Sequence, residues 1–225
     1  MDINVEPVTN ENFDFYRSRL RILFILNFFS KPYSNADEPN RVKVFETEVR
    51  IQKIDFLLRN PDYLAYEILS LIKEGHLKKD DDVKTTIDNI FKNNEPVIRK
   101  QEMERFFFGA FEDLDDIIAF LKAYSFIEFE SEKNVAGNVI GKRYFLTKFG
   151  EEKIIKGISD IPSLEWYKKR CLLILRFFGN MSGNELKIRQ YQIKKYKDTP
   201  LNQYIEGIED ETKSMYQEVY GESLI

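Results

Sequence analysis

The spacing of apolar residues predicts several helices in the first 95 residues. Residues 15–29 are apolar nearly all round a helix, which is typical of a helix in the centre of a core. Residues 31–46 combine two prolines with small polar residues and predict an exposed loop. Apolar stripes then predict helices over about 47–58, from 61 to 75, and over about 83–91.

The middle of the chain alternates between helical and extended patterns. Apolar residues at i, i+3, i+4 and i+7 predict a helix over 112–124. The next eight residues alternate in polarity and predict a half-buried strand, residues 134–141 have turn chemistry, and 142–146 predict a returning strand. Thr147 is suited to cap a closing helix. This order of elements is typical of a winged-helix module.

The last third predicts three more helices. One follows Pro162 and ends near Gly179, and Ser182 with Glu185 has the spacing of a capping box for the next. The final helix is predicted from Thr199–Pro200 to Gly221, and its stripe is a candidate partner-docking face formed by Leu201, Ile205, Ile208, Met215 and Val219. The predicted fold is mainly α with a small β wing: a winged-helix core (96–160) flanked by N-terminal (1–95) and C-terminal (161–225) helical regions.

Composition excludes several classes of protein. With 43% hydrophobic and 14% aromatic residues in 225, the chain can bury a sizeable core. One Cys and one His exclude a disulfide scaffold and a multi-ligand Cys/His metal site. The first residues lack a signal-peptide pattern, and the longest apolar run is far shorter than the roughly 20 residues of a membrane span. We therefore expect a cytoplasmic protein.

The residues that could carry chemistry favour no catalytic site. His76 lies at a predicted helix end beside a polar loop, and Cys171 lies inside an apolar helix. The acidic runs 80–82 and 112–116 fit a solvated loop and a helical first turn. Residues 136–143 (AGNVIGKR) approach a phosphate-binding loop but lack its first Gly and its final Ser or Thr, and they lie between two strands. We expect no catalytic residue, metal or cofactor.

Charge is distributed unevenly along the chain. The net charge of −4 combines −5 over residues 1–162, +7 over 163–197 and −6 over 198–225. The last two segments either pack against each other, or the basic one forms a surface for DNA or an acidic partner. The candidate contacts for DNA or a partner are Lys187, Arg189, Lys194, Lys195 and Lys197, with Lys133, Lys142 and Arg143 of the wing. The predicted helix 112–124 has four acids against one base, which disfavours groove reading.

Three short motifs resemble a known family. They are RLRILFIL over 19–26, KIDFLLRNP over 53–61 and LTKFG over 146–150. Together they resemble the middle component of the bacterial ABC three-component systems, a group that includes the small subunit of Lamassu anti-phage defence. The resemblance covers about residues 15–180.

The resemblance implies a non-catalytic adaptor subunit. Its partners would be an SMC-like coiled-coil ATPase and an effector, typically a nuclease, with DNA reached through the complex. Within the motif, Asp55 is expected to pair with an arginine of the first helix. A winged-helix transcription regulator is the alternative function, and a small nuclease is a third.

Overall fold

The chain folds mainly into helices with a small amount of antiparallel sheet, in a computed structural model that describes residues 10–92 and 94–224. Unit 1 takes its described residues from 10–47 and 113–171, and unit 2 from 48–112 and 172–224. The elements in chain order are α1 (Asn10–Phe29), β1 (Lys31–Pro32), β2 (Arg41–Glu46), α2 (Glu48–Arg59), α3 (Pro61–Lys73), α4 (Asp81–Lys92), α5 (Glu95–Ile98), β3 (Glu104–Phe106), β4 (Gly109–Phe111), α6 (Asp115–Ala123), β5 (Ile127–Lys133), β6 (Val139–Thr147), α7 (Lys148–Asp160), α8 (Leu164–Phe178), α9 (Gly183–Gln192), α10 (Lys194–Asp198) and α11 (Glu209–Tyr220).

Each unit is discontinuous in sequence, because each combines an earlier and a later stretch. The division into the consecutive regions 1–95, 96–160 and 161–225 stays a prediction. The mainly helical fold class with a small sheet is confirmed.

Unit 1 is built on α1 and a four-stranded antiparallel sheet in the order β1-β2-β6-β5. Five consecutive α1 residues, 22–26, are buried, which confirms a central position for the C-terminal half of this helix, whereas Phe15 and Tyr16 near its start are exposed. The predicted order helix, strand, loop, strand, helix is present as α6, β5, β6 and α7, although α6 begins at Asp115 rather than 112. Thr147 caps α7, its Oγ1 accepting a hydrogen bond of 2.9 Å from the Gly150 N–H.

The prediction of an exposed loop over residues 31–46 is confirmed for residues 33–40, which are mostly exposed, and is wrong for the two ends of the segment. Residues 41–46 form β2, which pairs antiparallel with β6 and places Val44 opposite Phe145. Residues 31–32 form β1 against β2. The two prolines of this segment favour a loop. Val42 and Val44, however, alternate with polar residues, which is typical of a strand. Their pairing strand lies about 100 residues away, so no local signal reveals it.

Arg41 joins three strands of this sheet. Its guanidinium lies 4.2 Å from the centre of the Phe145 ring on β6, and Nε donates a hydrogen bond of 2.7 Å to Glu128 Oε2 on β5. Nη1 also donates to Glu130. Burial opposes the charge of Arg41, but the hydrogen bonds that it donates to Glu128 and Glu130 outweigh this effect and raise the pKa of Arg41. The edge strand β5 is therefore held to β2 across β6.

Unit 2 contains the helices α2, α3, α9 and α11 and the hairpin of β3 and β4. Helix α11 packs on α3, and α9 packs on α2. The predicted capping box is confirmed, because Ser182 Oγ accepts from the Glu185 N–H and Glu185 Oε2 accepts from the Ser182 N–H. Gly75, with a φ of 76°, follows the end of α3 as predicted.

The predicted start of the last helix at Thr199–Pro200 is wrong. Helix α11 begins at Glu209, and residues 200–208 run beside β3 instead. The Arg105 N–H donates to Gln203 O at 2.9 Å, and the Ile205 N–H donates to Met103 O at 3.0 Å. The Ile208 N–H donates to the buried Asp62 Oδ2 at 2.6 Å. These partners satisfy the backbone groups that a helix would have used.

Replacing Arg41 with Met should lower the free energy of unfolding by about 2 kcal/mol, because Glu128 and Glu130 would lose a shared, partly buried base. Urea unfolding followed by circular dichroism measures the change. The control is Arg143→Met, which removes a half-exposed partner of the same Glu130 and should cost less than about 1 kcal/mol. Equal losses in both variants would show that Arg41 contributes only as a surface ion pair.

Candidate functional site

The phenylalanine hairpin, residues 104–111, is a prominent exposed apolar feature among the described residues of unit 2. Strands β3 and β4 pair from Glu104↔Phe111 to Phe106↔Gly109, so Phe107 and Phe108 form a two-residue turn. Their side chains are 67% and 65% exposed. Two-residue turns normally contain Gly, Asn or Asp. Phenylalanine is thus unusual at these two positions, and because both rings are largely exposed we regard them as candidates for binding.

Buried polar groups fix the base of this hairpin. The Ala110 N–H donates to the Tyr196 hydroxyl at 2.6 Å, and that hydroxyl donates to Gln190 Oε1 at 3.1 Å. The Lys53 ammonium donates to Ala110 O at 3.0 Å. Gly109 has a φ of 94°, and a Cβ there would collide with the Tyr196 hydroxyl. Glycine is thus required where β4 begins.

The basic side chains near the base of the hairpin are not paired with carboxylates of the described residues. Within the described part of the chain, no carboxylate lies within salt-bridge distance of Lys53, Arg105 or Lys187. Lys187 Nζ lies 4.8 Å from the centre of the Phe108 ring. Burial, with the nearby charge of Lys187, lowers the pKa of Lys53 to about 7.

The sequence analysis missed this site. The run RFFFGAF follows no helical or alternating period, so periodicity does not identify it. The three consecutive aromatic residues followed by Gly were the available signal, since such a run in a short segment is unusual for either a core helix or a solvated loop.

Unit 1 carries a second exposed aromatic surface. We use the name aromatic ladder for five rings at successive centre-to-centre distances of 5.6, 4.5, 6.4 and 5.6 Å: Phe15, Phe120, Tyr124, Phe126 and Phe149. Tyr124 is 60% exposed. Two of the rings belong to α6 or its C-terminal end, next to the exposed Asp115 and Asp116 on the same helix. Aromatic rings with carboxylates suit a protein surface better than a phosphate backbone.

The three predicted basic residues of the wing lie on β5 and β6. Lys133 is exposed at the end of β5. Lys142 is half-buried, with Nζ 3.9 Å from Asp115 Oδ1, and Arg143 lies 2.9 Å from Glu130 Oε2. The wing thus brings its bases together with acids, and contact with DNA or a partner through them stays a prediction.

The basic C-terminal residues do not form one exposed surface. Lys194 and Lys197 are exposed, whereas Lys195 Nζ lies 3.0 Å from Glu211 Oε1. That pair joins the basic segment to the acidic tail. Two other acids of the tail instead pair with lysines of the earlier helices, Lys73 with Glu218 and Lys84 with Glu222.

Arg189 forms ion pairs within unit 2, and its role as a contact for DNA or a partner stays a prediction. Its Nε lies 2.8 Å from Glu67 Oε2, and its Nη1 lies 2.7 Å from Glu74 Oε2. Burial raises the pKa of Glu67, although the charge and hydrogen bond of Arg189 act in the opposite direction. Arg189 therefore stabilises the carboxylate of Glu67, a buried residue of α3. A net charge counted along the sequence does not reveal such an internal ion pair.

The five residues of the predicted docking stripe are divided in the structure. Leu201, Ile205 and Ile208 precede α11, while Met215 and Val219 belong to it. Ile205 and Ile208 are buried, Met215 and Val219 are half-buried, and Leu201 is exposed. The stripe is largely part of the core of unit 2, and a docking role for the remaining exposed surface stays a prediction.

The residues weighed for catalysis are dispersed. His76 is exposed, with Nε2 3.9 Å from Glu74 Oε2, and Cys171 is buried. Among the described residues, no group of three or more His, Cys, Asp or Glu could hold a metal ion.

Asp55 Oδ2 lies 3.4 Å from Arg59 Nη1 on the same helix, and its pairing with an arginine of α1 stays a prediction. Among the described residues, the helices all fall short of the length and apolarity that a membrane span requires.

Comparisons with models of protein families, with curated proteins and with solved structures found no match to this chain.

Replacing Lys53 with Met should abolish a rise in stability with pH. The unfolded chain keeps this lysine protonated up to about pH 10, whereas the folded chain releases the proton above about pH 7. Between these values the unfolded state binds more protons, so the free energy of unfolding increases with pH. We expect it to increase from pH 7 to pH 9 by roughly 2 kcal/mol more in the wild type than in the variant.

Urea unfolding at pH 7, 8 and 9 measures this difference. The control is Lys194→Met on the exposed α10, whose pH profile should run parallel to the wild type. Parallel profiles for Lys53→Met as well would mean that Lys53 stays charged in the folded protein.

Replacing Arg189 with Met should lower the free energy of unfolding by about 3 kcal/mol, because Glu67 would remain buried without its base. Lys197→Met, an exposed base of the same segment, should change it by no more than about 0.5 kcal/mol. Thermal unfolding followed by circular dichroism compares the two. A loss as small as that of Lys197→Met would contradict an internal role for Arg189.

Proposed function

We propose that this chain is a non-catalytic adaptor of a cytoplasmic bacterial defence complex. It would bridge an SMC-like coiled-coil ATPase and an effector, most simply a nuclease, that acts against phage or plasmid DNA. The motifs over 19–26, 53–61 and 146–150 suggest the complex. The presence of a separate exposed aromatic surface on each unit is the observation that carries the adaptor role.

A bridging subunit needs two surfaces that can be occupied together. Unit 1 offers the aromatic ladder, and unit 2 offers the phenylalanine hairpin. Aromatic side chains are common anchors of protein interfaces, because they bury a large area at a small cost in side-chain entropy. Exposed rings on both units therefore support an adaptor.

The winged-helix arrangement of α6, β5, β6 and α7 is part of this proposal. A winged helix that reads DNA places its second helix in the major groove. In this chain α6 exposes Asp115 and Asp116, which DNA phosphates would repel. We therefore propose that the winged helix contacts protein, with the exposed rings of the ladder beside these carboxylates.

The test is reconstitution with the products of the neighbouring reading frames. If these encode a coiled-coil ATPase and a nuclease, the full chain should co-purify with both and should be required for them to co-purify with each other. Tyr124→Ser/Phe149→Ser should weaken binding of one partner at least tenfold, because two exposed rings of the ladder are lost. Surface plasmon resonance measures each affinity.

The matched control is Val49→Ser/Leu172→Ser, which removes two exposed apolar residues outside the aromatic ladder, the winged helix and the phenylalanine hairpin and should leave both affinities unchanged. A chain that purified as a monomer and bound neither product would contradict the adaptor proposal. Salt-dependent binding of operator DNA by the isolated chain would favour the alternative, a winged-helix transcription regulator.

A further inference from the structure

We propose that the phenylalanine hairpin is a docking element that places Phe107 and Phe108 against an apolar, carboxylate-rimmed surface of a partner protein. This inference deepens the proposed function and rests on it for the identity of the partner. The chemistry of the partner follows from the hairpin and its surroundings in unit 2.

The hairpin is held rigidly enough to act as an anchor. On one side, β3 exchanges backbone hydrogen bonds with residues 202–205: the Asn202 N–H donates to Arg105 O at 2.8 Å, and the Ile205 N–H donates to Met103 O at 3.0 Å. On the other side, Ala110 is bonded to both Tyr196 and Lys53. A preorganised element loses little conformational entropy when it binds. The two exposed rings are therefore already positioned for contact.

The surrounding charge selects an acidic partner surface. Lys187 lies against the Phe108 ring, and Arg105 lies on β3 with its guanidinium 5.6 Å from the centre of the Tyr191 ring. Arg105 and Lys187 therefore place positive charge beside the exposed rings, and no carboxylate of the described residues pairs directly with either base. A partner with carboxylates around an apolar surface would be complementary to this arrangement.

Two other occupants fit less well. An anionic lipid surface fits less well, because stable electrostatic attachment to lipid takes a cluster of bases, whereas the hairpin has Arg105 and Lys187 beside it. A second copy of this chain would present the same bases to the first copy. Both occupants are outcomes of the experiment below.

The first measurement needs no assumption about the natural partner. The probe is a fluorescent 18-residue amphipathic peptide with a leucine face flanked by glutamates, compared with a counterpart in which lysines replace the glutamates. The full chain should bind the acidic peptide at least tenfold more tightly than the basic one, as measured by anisotropy. Phe107→Ser/Phe108→Ser should lose at least tenfold in affinity, and Lys187→Glu should reduce the preference for the acidic peptide.

The control is Val135→Ser/Val139→Ser, which removes two exposed apolar residues of the other hairpin loop and should bind like the wild type. Circular dichroism verifies that each variant is folded. Equal binding of the acidic peptide by the wild type and by Phe107→Ser/Phe108→Ser would overturn the proposal. Phe107-dependent sedimentation with phosphatidylserine vesicles, or Phe107-dependent dimerisation in sedimentation velocity, would overturn it in favour of lipid or of a second copy.

The second measurement separates this inference from the proposed function. The same variants are tested with the coiled-coil ATPase and the effector of the neighbouring reading frames, and a photo-crosslinking residue at Phe107 should capture one of them. Binding of the acidic peptide without binding of either product supports the hairpin and contradicts the adaptor. Binding of both products that Phe107→Ser/Phe108→Ser leaves intact, with no crosslink, supports the adaptor and overturns the docking role of the hairpin.

Discussion

The buried hydrogen bonds at Ala110 are the interaction on which the arrangement of unit 2 depends. The Tyr196 hydroxyl accepts from the Ala110 N–H, and the Lys53 ammonium donates to the Ala110 carbonyl. Gln190 extends the cluster, accepting from Tyr196 and donating to the Lys53 carbonyl at 3.2 Å. Helices α2, α9 and α10 therefore meet the hairpin at a single satisfied polar cluster. Burying the Lys53 amine costs free energy of desolvation, and the hydrogen bonds of the cluster offset this cost. The same hydrogen bonds hold the three helices and the hairpin in one arrangement.

The sequence predicted the elements whose signals are local. The all-round apolar pattern of α1, the cap at Thr147 and the capping box at Ser182 all depend on residues within a few positions of one another. The strand β2 and the non-helical residues 200–208 depend instead on partners far away in the chain, β6 in one case and Met103, Arg105 and Asp62 in the other. A period along the sequence contains no information about such partners.

The candidate sites were predicted less well, for a related reason. A net charge counted along the sequence does not show which bases form ion pairs within the fold. Arg189 and Lys195 both form ion pairs with carboxylates of the same unit. The predicted docking stripe likewise includes Ile205 and Ile208, which are buried in the core of unit 2. The phenylalanine hairpin could only be found once the exposure of its rings was known. Surface function is therefore harder to infer from the sequence than the helices are, because it depends on which groups the fold leaves unsatisfied.

In the phenylalanine hairpin, the residues that determine its backbone conformation are different from the residues that are exposed for binding. Gly109 and Ala110 are fixed by steric and hydrogen-bonding demands at the base, whereas Phe107 and Phe108 make up an exposed turn. We therefore expect the two turn positions to tolerate change at a smaller cost in folding than the base. Such a division lets recognition diverge independently of the scaffold, and it makes this turn a natural place to graft a different specificity onto the same fold.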